Sequence, residues 1–301
     1  MQNLKLLEII KNAENNKVAI GHFNISDCVA LKGIFLAAKE LNLPVIIGVS
    51  EGEREFIGVK RVADAVRSVR EEFNWPIFLN ADHTHSLEKI KEAVEAGFDA
   101  VLFDGGKLLL EENIKKTKEV VEYVKSVNPD ILVEGELGYI GASSVILKEV
   151  PKGAAVEEKD LTKPEEAGLF AKETGIDLLA PAVGNIHGMF KNAPNPNLSI
   201  ERIAKIRKAA GVPLVLHGGS GIKDEEFIKA INAGISTIHI NTEIRLAWRK
   251  GIEKALAENP EEIVPYKVLP TVIDEIKKIT GERLKLFNKL SAIPFLPKKT
   301  D

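Results

Sequence analysis

Short apolar runs alternate with amphipathic segments along nearly the whole chain of 301 residues. The runs Val18–Phe23, Pro44–Val49, Pro76–Asn80, Ala100–Phe103, Ile131–Glu136, Leu178–Val183, Pro213–His217 and Thr237–Asn241 are rich in Val, Ile, Leu and Phe. They lack a period of two, so each predicts a strand buried on both faces. Between them apolar residues recur every third or fourth position, as at Leu87, Ile90 and Val94 or Ile203 and Ile206, which is the spacing of one helix face. Gly97 and Gly234 follow two of these segments, where helices commonly end. Strand followed by helix, repeated eight times, predicts an α/β chain closed as a (β/α)8 TIM barrel over about residues 15–257. A doubly wound open sheet is the alternative. After Asn259-Pro260 the alternation stops, and Pro265, Pro270, Pro294 and Pro297 bracket a helical pattern around Ile273–Phe287. We expect a C-terminal helical extension over 258–301, outside the barrel, as a cap or in a subunit contact, within one domain spanning 1–301. The one long connection, roughly Gly138–Leu161, carries Gly, Ser, Ala and Lys and is expected to be a mobile loop at the active site.

Composition narrows the class. With 45% hydrophobic and 28% charged residues the chain can build an ordinary core. A net charge of −3 offers no basic field, so a nucleic-acid partner has no electrostatic support. Cys28 is the one cysteine, which excludes disulfides and a thiolate metal cage and suits a reducing compartment. The start Met1-Gln2-Asn3-Leu4-Lys5 leads into an amphipathic pattern without a signal-peptide core, and no apolar run reaches membrane-spanning length. The expectation is a cytoplasmic protein with no membrane partner.

Polar residues gather where the strands end, which is where barrels of this kind build their sites. The third strand ends in Asn80-Ala81-Asp82-His83, the fourth in Asp104-Gly105-Gly106, and the fifth contains Glu134-Gly135-Glu136. The sixth runs into Gly184-Asn185-Ile186-His187-Gly188, the seventh into His217-Gly218-Gly219-Ser220-Gly221, and the eighth into His239-Ile240-Asn241-Thr242-Glu243. Five of the six histidines lie within a few residues of these ends, and the sixth, His22, ends the first strand. His83, His187 and His217, on separate strands, suggest a catalytic zinc site of three imidazoles with a position open for substrate. The bland alternative is three hydrogen-bonded rim histidines. Gly184, Gly188, Gly218, Gly219 and Gly221 allow backbone amides to approach an anion, Ser220 adds a hydroxyl, and the helix opening near Asp224 adds its N-terminal dipole. That pattern suits a phosphate; a flexible turn is the alternative.

In order, Gly21-His22-Phe23-Asn24, Ser50-Glu51-Gly52, Asp82-His83, Glu134-Gly135-Glu136-Leu137-Gly138, Gly184-Asn185-Ile186-His187-Gly188, His217-Gly218-Gly219-Ser220-Gly221 and Asn241-Thr242-Glu243 resemble the class II fructose-bisphosphate aldolase family over roughly residues 4–290. The resemblance implies one Zn²⁺ on His83, His187 and His217, with Glu136 as a carboxylate that can ligate in an alternative position and Asp104 in the outer metal environment. It implies Asp82 as the acid/base at the C4 hydroxyl of the sugar. Gly188, Gly218, Ser220, Asn241 and Thr242 map to the C1-phosphate cradle, and Asn24 and Ser50 to the substrate-binding set. Main-chain carbonyls near the two Gly-rich turns would hold a monovalent cation, Na⁺ or K⁺. The metal would act as a Lewis acid toward the enediolate formed when C3–C4 breaks, so no lysine Schiff base is needed. Homodimers or homotetramers are the family's usual states.

Three departures bear on the substrate. His239 stands where the family has an Asn that holds the enediolate, which makes His239 a candidate catalytic substitute. The stretch Tyr139-Ile140-Gly141-Ala142-Ser143-Ser144 lacks the family's loop glutamate, leaving Glu149, Glu157 or Glu158 for that role. The Arg that grips the far phosphate is replaced by Pro265-Tyr266-Lys267, and Lys267 is a weaker, non-bidentate substitute. Fructose 1,6-bisphosphate ranks first as substrate, then tagatose 1,6-bisphosphate, then a monophosphorylated ketose such as fructose 6-phosphate. The rival classes are a metal-free phosphosugar isomerase or epimerase using Asp82 and Glu136 as acid and base, and a non-enzymatic barrel that kept the fold.

Overall fold

A computed structural model of the chain describes residues 5–141, 144–150, 152–191 and 195–289. In chain order the elements are α1 (Leu6–Asn15), β1 (Ile20–Asn24), α2 (Cys28–Leu41), β2 (Val45–Val49), α3 (Glu51–Ile57), α4 (Val59–Phe73), β3 (Ile77–Thr84) and α5 (Leu87–Ala96). Then come β4 (Ala100–Phe103), α6 (Leu110–Val127), β5 (Leu132–Leu137), β6 (Ile146–Leu147), α7 (Pro164–Thr174), β7 (Leu178–Pro181), β8 (Met189–Phe190) and α8 (Ile200–Ala210). The chain closes with β9 (Leu214–Leu216), α9 (Asp224–Ala233), β10 (Ile235–Ile240), α10 (Thr242–Glu258) and α11 (Pro265–Phe287).

Eight parallel strands form a closed barrel in the order β1-β10-β9-β7-β5-β4-β3-β2. All eight expected strands are present, so the barrel rather than the open sheet is correct. β6 and β8 pair in parallel outside it and tie the 138–161 connection to the loop after β7. Local chemistry sets the helix ends: Asp27 caps α2 by accepting from the Ala30 amide, Ser86 caps α5, and Gly97 ends α5 at φ +88°.

Inside the barrel the layers follow the two-residue period of the strands. The lower layer is apolar: Ile20, Ile46, Phe78, Leu132 and Val215 pack on Leu6, Ile9 and Ile10 of α1, which plugs the N-terminal end. Two residues further along the same strands stand His22, Gly48, Asn80, Glu134 and His217, and two beyond those Asn24, Ser50, Asp82 and Glu136. The apolar floor thus places a polar layer at the C-terminal mouth.

α11 packs against α10 and α2, completing the outer ring of helices. Gly33 and Gly251 let it approach, since a Cβ at either would lie within 2.8 Å of Ile276 or 2.6 Å of Val272. The helix starts earlier than the expected Ile273 and carries Pro270 within it. Pro294, Pro297 and the rest of 290–301 lie outside the described residues. Among the described residues, no helix is long and apolar enough to cross a membrane.

Candidate active site

Successive side chains on a regular strand point to opposite faces, yet Asp82 and His83 both reach the mouth. The pairing of β3 with β4 shifts register between Ala81 and Thr84, and His83 adopts φ +36°, which side chains other than glycine rarely take. Arg54, buried on α3, holds this bend. Its Nη1 donates to the carbonyls of Val49 (2.6 Å) and Asp82 (3.1 Å), and its Nη2 to Thr84 Oγ1 (2.9 Å).

The imidazoles of His83, His187 and His217 meet with ring centroids 4.6, 4.9 and 5.7 Å apart. His83 Nδ1 donates to Asp104 Oδ2 at 2.8 Å, and His217 Nε2 donates to Glu134 Oε1 at 2.7 Å. With those outer nitrogens protonated, neutral rings turn bare lone pairs inward, and His83 Nε2 and His217 Nδ1 face each other at 3.2 Å. Two lone pairs at that distance repel, so either a proton shared between the rings or a metal ion occupies the gap. His187 Nε2 and Glu136 Oε2 are buried without a hydrogen-bond partner. One ligand atom from each of His83, Glu136, His187 and His217 lies within 4.8 Å of the others. Nitrogen-rich donors, an available carboxylate and outer carboxylates fixing the tautomers fit a zinc-type ion.

Charge differs from one member of the cluster to the next. Burial and then the neighbouring imidazoles push His187 well below its ordinary pKa, so it is neutral and able to ligate. Burial would raise Asp82, but His83 and His239 outweigh it and hold this carboxyl well below the usual range. Burial, reinforced by Asp104, raises Glu136. Burial disfavours charge on His83 too, yet Asp82, Asp104 and Glu136 prevail and raise it well above the usual value.

Beside the cluster His22 and His239 stack face to face, centroids 3.4 Å apart and planes 1° from parallel. Gly48 makes room, since a Cβ there would lie 2.0 Å from His22 Cε1. His239 Nδ1 lies 3.4 Å from Asp82 Oδ1. Asn24 Nδ2 donates to Asp82 Oδ2 and to Glu53 Oε2, both at 2.9 Å. Glu53 in turn completes a capping box with Ser50 and accepts from Arg245 Nη2 at 2.7 Å.

Gly188, Gly218, Ser220, Asn241 and Thr242 line one narrow cleft, with Asn24 and His239 on its wall. At Gly218 φ is +61° and a Cβ would come within 2.3 Å of the Ile186 carbonyl, so only glycine fits. α10, opening at Thr242, presents its N-terminus there; the expected contribution from the helix at Asp224 is not made, because α9 does not line the cleft. A larger cavity of about 490 Å³ adjoins it, bordered by Ser50, Asp82, His83, Lys107, Tyr139 and Arg245.

Most candidate residues therefore converge. Asp104 sits on the outer nitrogen of His83, and its Oδ1 also accepts from the Gly106 amide at 3.1 Å, so it orients that ring from behind. Three candidates lie elsewhere: Glu157 pairs with Lys159, Glu158 with Arg202, and Lys267 with Glu262 at 3.2 Å, all away from the cavity. Glu149 is exposed and does not line it either, and Ala142 and Ser143 lie outside the described residues. Sequence reasoning passed over Glu134, although its place two residues before Glu136 puts both carboxylates on one strand face. It also missed Arg54, Glu53 and Arg245, whose partners are too distant in the chain to leave a local signal.

The model of the family described as "Fructose-bisphosphate aldolase class-II" matches residues 4–291. The fructose-bisphosphate aldolase of Geobacillus stearothermophilus is 37% identical over 290 residues, covering 95% of this chain and 97% of that one. That of Thermus caldophilus is 33% identical, covering 94% and 97%. The crystal structure of the YdjI aldolase from Escherichia coli K12 superposes with a TM-score of 0.79 at 32% identity, covering 94% of this chain and 96% of the other. With the family's segments falling on the rim residues just described, the chain belongs to the class II fructose-bisphosphate aldolase family.

Proposed function

We propose that the protein catalyses reversible, zinc-dependent aldol cleavage of fructose 1,6-bisphosphate to dihydroxyacetone phosphate and glyceraldehyde 3-phosphate. The observation that carries this is the convergence of His83, His187, His217 and Glu136 on one point, with His83 and His217 each backed by a further carboxylate. His83, His187 and His217 would hold one Zn²⁺, with Glu136 as the alternative carboxylate ligand. When bound, the metal supplies Lewis-acid stabilisation of negative charge on the substrate's oxygens. A metal-free isomerase would leave the convergence of three imidazoles and Glu136 on one point without a role.

The chain's own residues do the rest. Asp82, aimed by Asn24 and kept ionised by His83 and His239, takes the proton of the C4 hydroxyl as C3–C4 breaks, and returns it in condensation. The C1 phosphate sits against the amides and hydroxyls of Gly188, Gly218, Ser220, Asn241 and Thr242. His239, in place of the family's amide, offers a ring nitrogen with no competing hydrogen bond to the oxygens of the three-carbon half. A monovalent cation at the carbonyls of the Gly-rich turns, a homodimer or homotetramer, and a cytoplasmic location complete the reading.

The test is cleavage of fructose 1,6-bisphosphate, tagatose 1,6-bisphosphate and fructose 6-phosphate by zinc-replete protein, before and after chelation. We expect the first to be cleaved best and chelation to abolish turnover until zinc is restored. Turnover that survives chelation, or no cleavage of any ketose phosphate, refutes the proposal.

A further inference from the structure

The cavity beside the metal cluster raises the question of what recognises the end of the substrate that the phosphate cleft does not hold. The cleft and the cavity share Asp82, His187 and Asn241, so a ketose anchored by its C1 phosphate extends its other end past Asp82 into the cavity. Several cations border that space, but most are already neutralised. Lys116 pairs with Glu112 at 3.0 Å. Arg245 is held between the Ser144 carbonyl (3.0 Å) and Glu53 (2.7 Å).

Lys107 differs. Among the described residues no carboxylate pairs with it; its ammonium lies 4.8 Å from the centre of the Tyr139 ring, another wall of the cavity. The turn that carries it is fixed to the metal cluster, because Asp104 accepts from the Gly106 amide with one oxygen and from His83 with the other. The Leu108 amide closes the same turn on the Gly105 carbonyl at 2.9 Å. Lys107 is therefore an uncompensated positive charge on a turn registered to the reacting centre. Lys267 pairs with Glu262 and does not border the cavity.

We propose that Lys107 is a specificity-determining residue that binds an anionic group, phosphate or carboxylate, on the aldehyde half of the substrate. This rests on the aldolase reading above. An ammonium on a flexible stem is a point charge without the bidentate geometry of Arg, so it attracts either anion.

The test is condensation of dihydroxyacetone phosphate with three aldehydes: glyceraldehyde 3-phosphate, the carboxylate-bearing 4-oxobutanoate, and uncharged glyceraldehyde. Zinc-loaded wild type, Lys107→Met and Lys107→Glu are compared; methionine keeps the stem against Tyr139. In Lys107→Met the ratio of kcat/KM for anionic over neutral aldehyde should fall about 10–100-fold, the loss expected for one charge-assisted hydrogen bond, and Lys107→Glu should lower it further. A fall for the phosphorylated aldehyde alone identifies phosphate as the ligand; a fall for both identifies any anion. An unchanged ratio in both variants, including one in which all three aldehydes slow equally, overturns the assignment. Wild type that condenses none of the three overturns the aldolase reading itself, and this assignment with it.

Discussion

Glu134 offers the sharpest test of the histidine cluster, because it lines neither the cleft nor the cavity and its one side-chain hydrogen bond is to His217. It lies on β5 at 2% exposure with Oε1 2.7 Å from His217 Nε2. Glu134→Gln keeps the shape and an oxygen that still accepts the same N–H, so the tautomer of His217 is retained and only the negative charge is lost. A hydrogen bond to an ionised group contributes about 1.5–3 kcal/mol against about 0.5–1.5 for a neutral one. The imidazole also becomes a poorer electron donor at Nδ1. Together these predict zinc affinity weakened about 10–100-fold, or about 1.4–2.7 kcal/mol, the range for loss of a carboxylate behind a ligand histidine. Glu134→Leu should be worse by a further 1–3 kcal/mol or so, because the N–H is then buried without an acceptor. The assay is competition for zinc against a chromophoric chelator, with circular dichroism confirming that each variant is folded. Unchanged zinc affinity in folded Glu134→Gln would refute the claim that His217 presents Nδ1 to a metal.

Other consequences follow from the same geometry. Asp82→Ala should retain zinc, measured by atomic absorption, while turnover falls by about 10²–10⁴, the usual loss of an acid/base; near-normal turnover would reduce Asp82 to a structural role. Arg54→Met should lower stability in urea by about 3 kcal/mol or more, since two carbonyls and a hydroxyl each lose a buried donor, and unchanged stability would contradict its role in holding the bend at His83. Burial pulls His22 down to about 3, so between pH 6.5 and about 3 the unfolded chain binds a proton that the fold refuses. Stability should therefore fall with acidification over that window, with His22 contributing about 1.4 kcal/mol per pH unit. His22→Gln should flatten the slope by one proton in denaturant melts, and an unaltered slope would show that His22 is not held neutral.

How much of this could be read beforehand depended on the range of each signal. Strands such as Val45–Val49 and Ala100–Phe103 carry their burial in their own composition, because a strand covered on both faces has no polar alternate. Asp82-His83, Gly218 and Ser220 were legible because polar and glycine residues next to an apolar run have no place in a core. The bend at the end of β3 was not: Ala81-Asp82-His83-Thr84 contains no glycine, and the turn is imposed by Arg54, some 30 residues away in sequence. The line from Asn24 through Glu53 to Arg245 was equally hidden, since its last link spans 192 residues. Lys267 misled for the converse reason. It stood where the family's Arg is missing, as a weaker substitute, but it pairs with a neighbouring carboxylate, Glu262, and does not line the cavity.

The way the barrel closes has a consequence for its birth on the ribosome. β1 pairs along its length with β10, from Ile20 opposite Thr237 to Phe23 opposite Ile240. The amide of Ala19, just before β1, donates to the carbonyl of Phe287 at the end of α11 at 3.1 Å. The first strand to be synthesised must therefore wait, with one edge unpaired, until nearly the whole chain has emerged. An open edge in a growing chain invites pairing with another nascent chain. α1 is made before any strand, and its seat on the barrel floor includes Val215 of β9, so it too stays partly uncovered until late in synthesis. Removing the last residues of α11 beyond Arg283 is expected to damage yield through aggregation of this waiting intermediate, while the Arg283–Glu243 pair beside the phosphate cleft is kept.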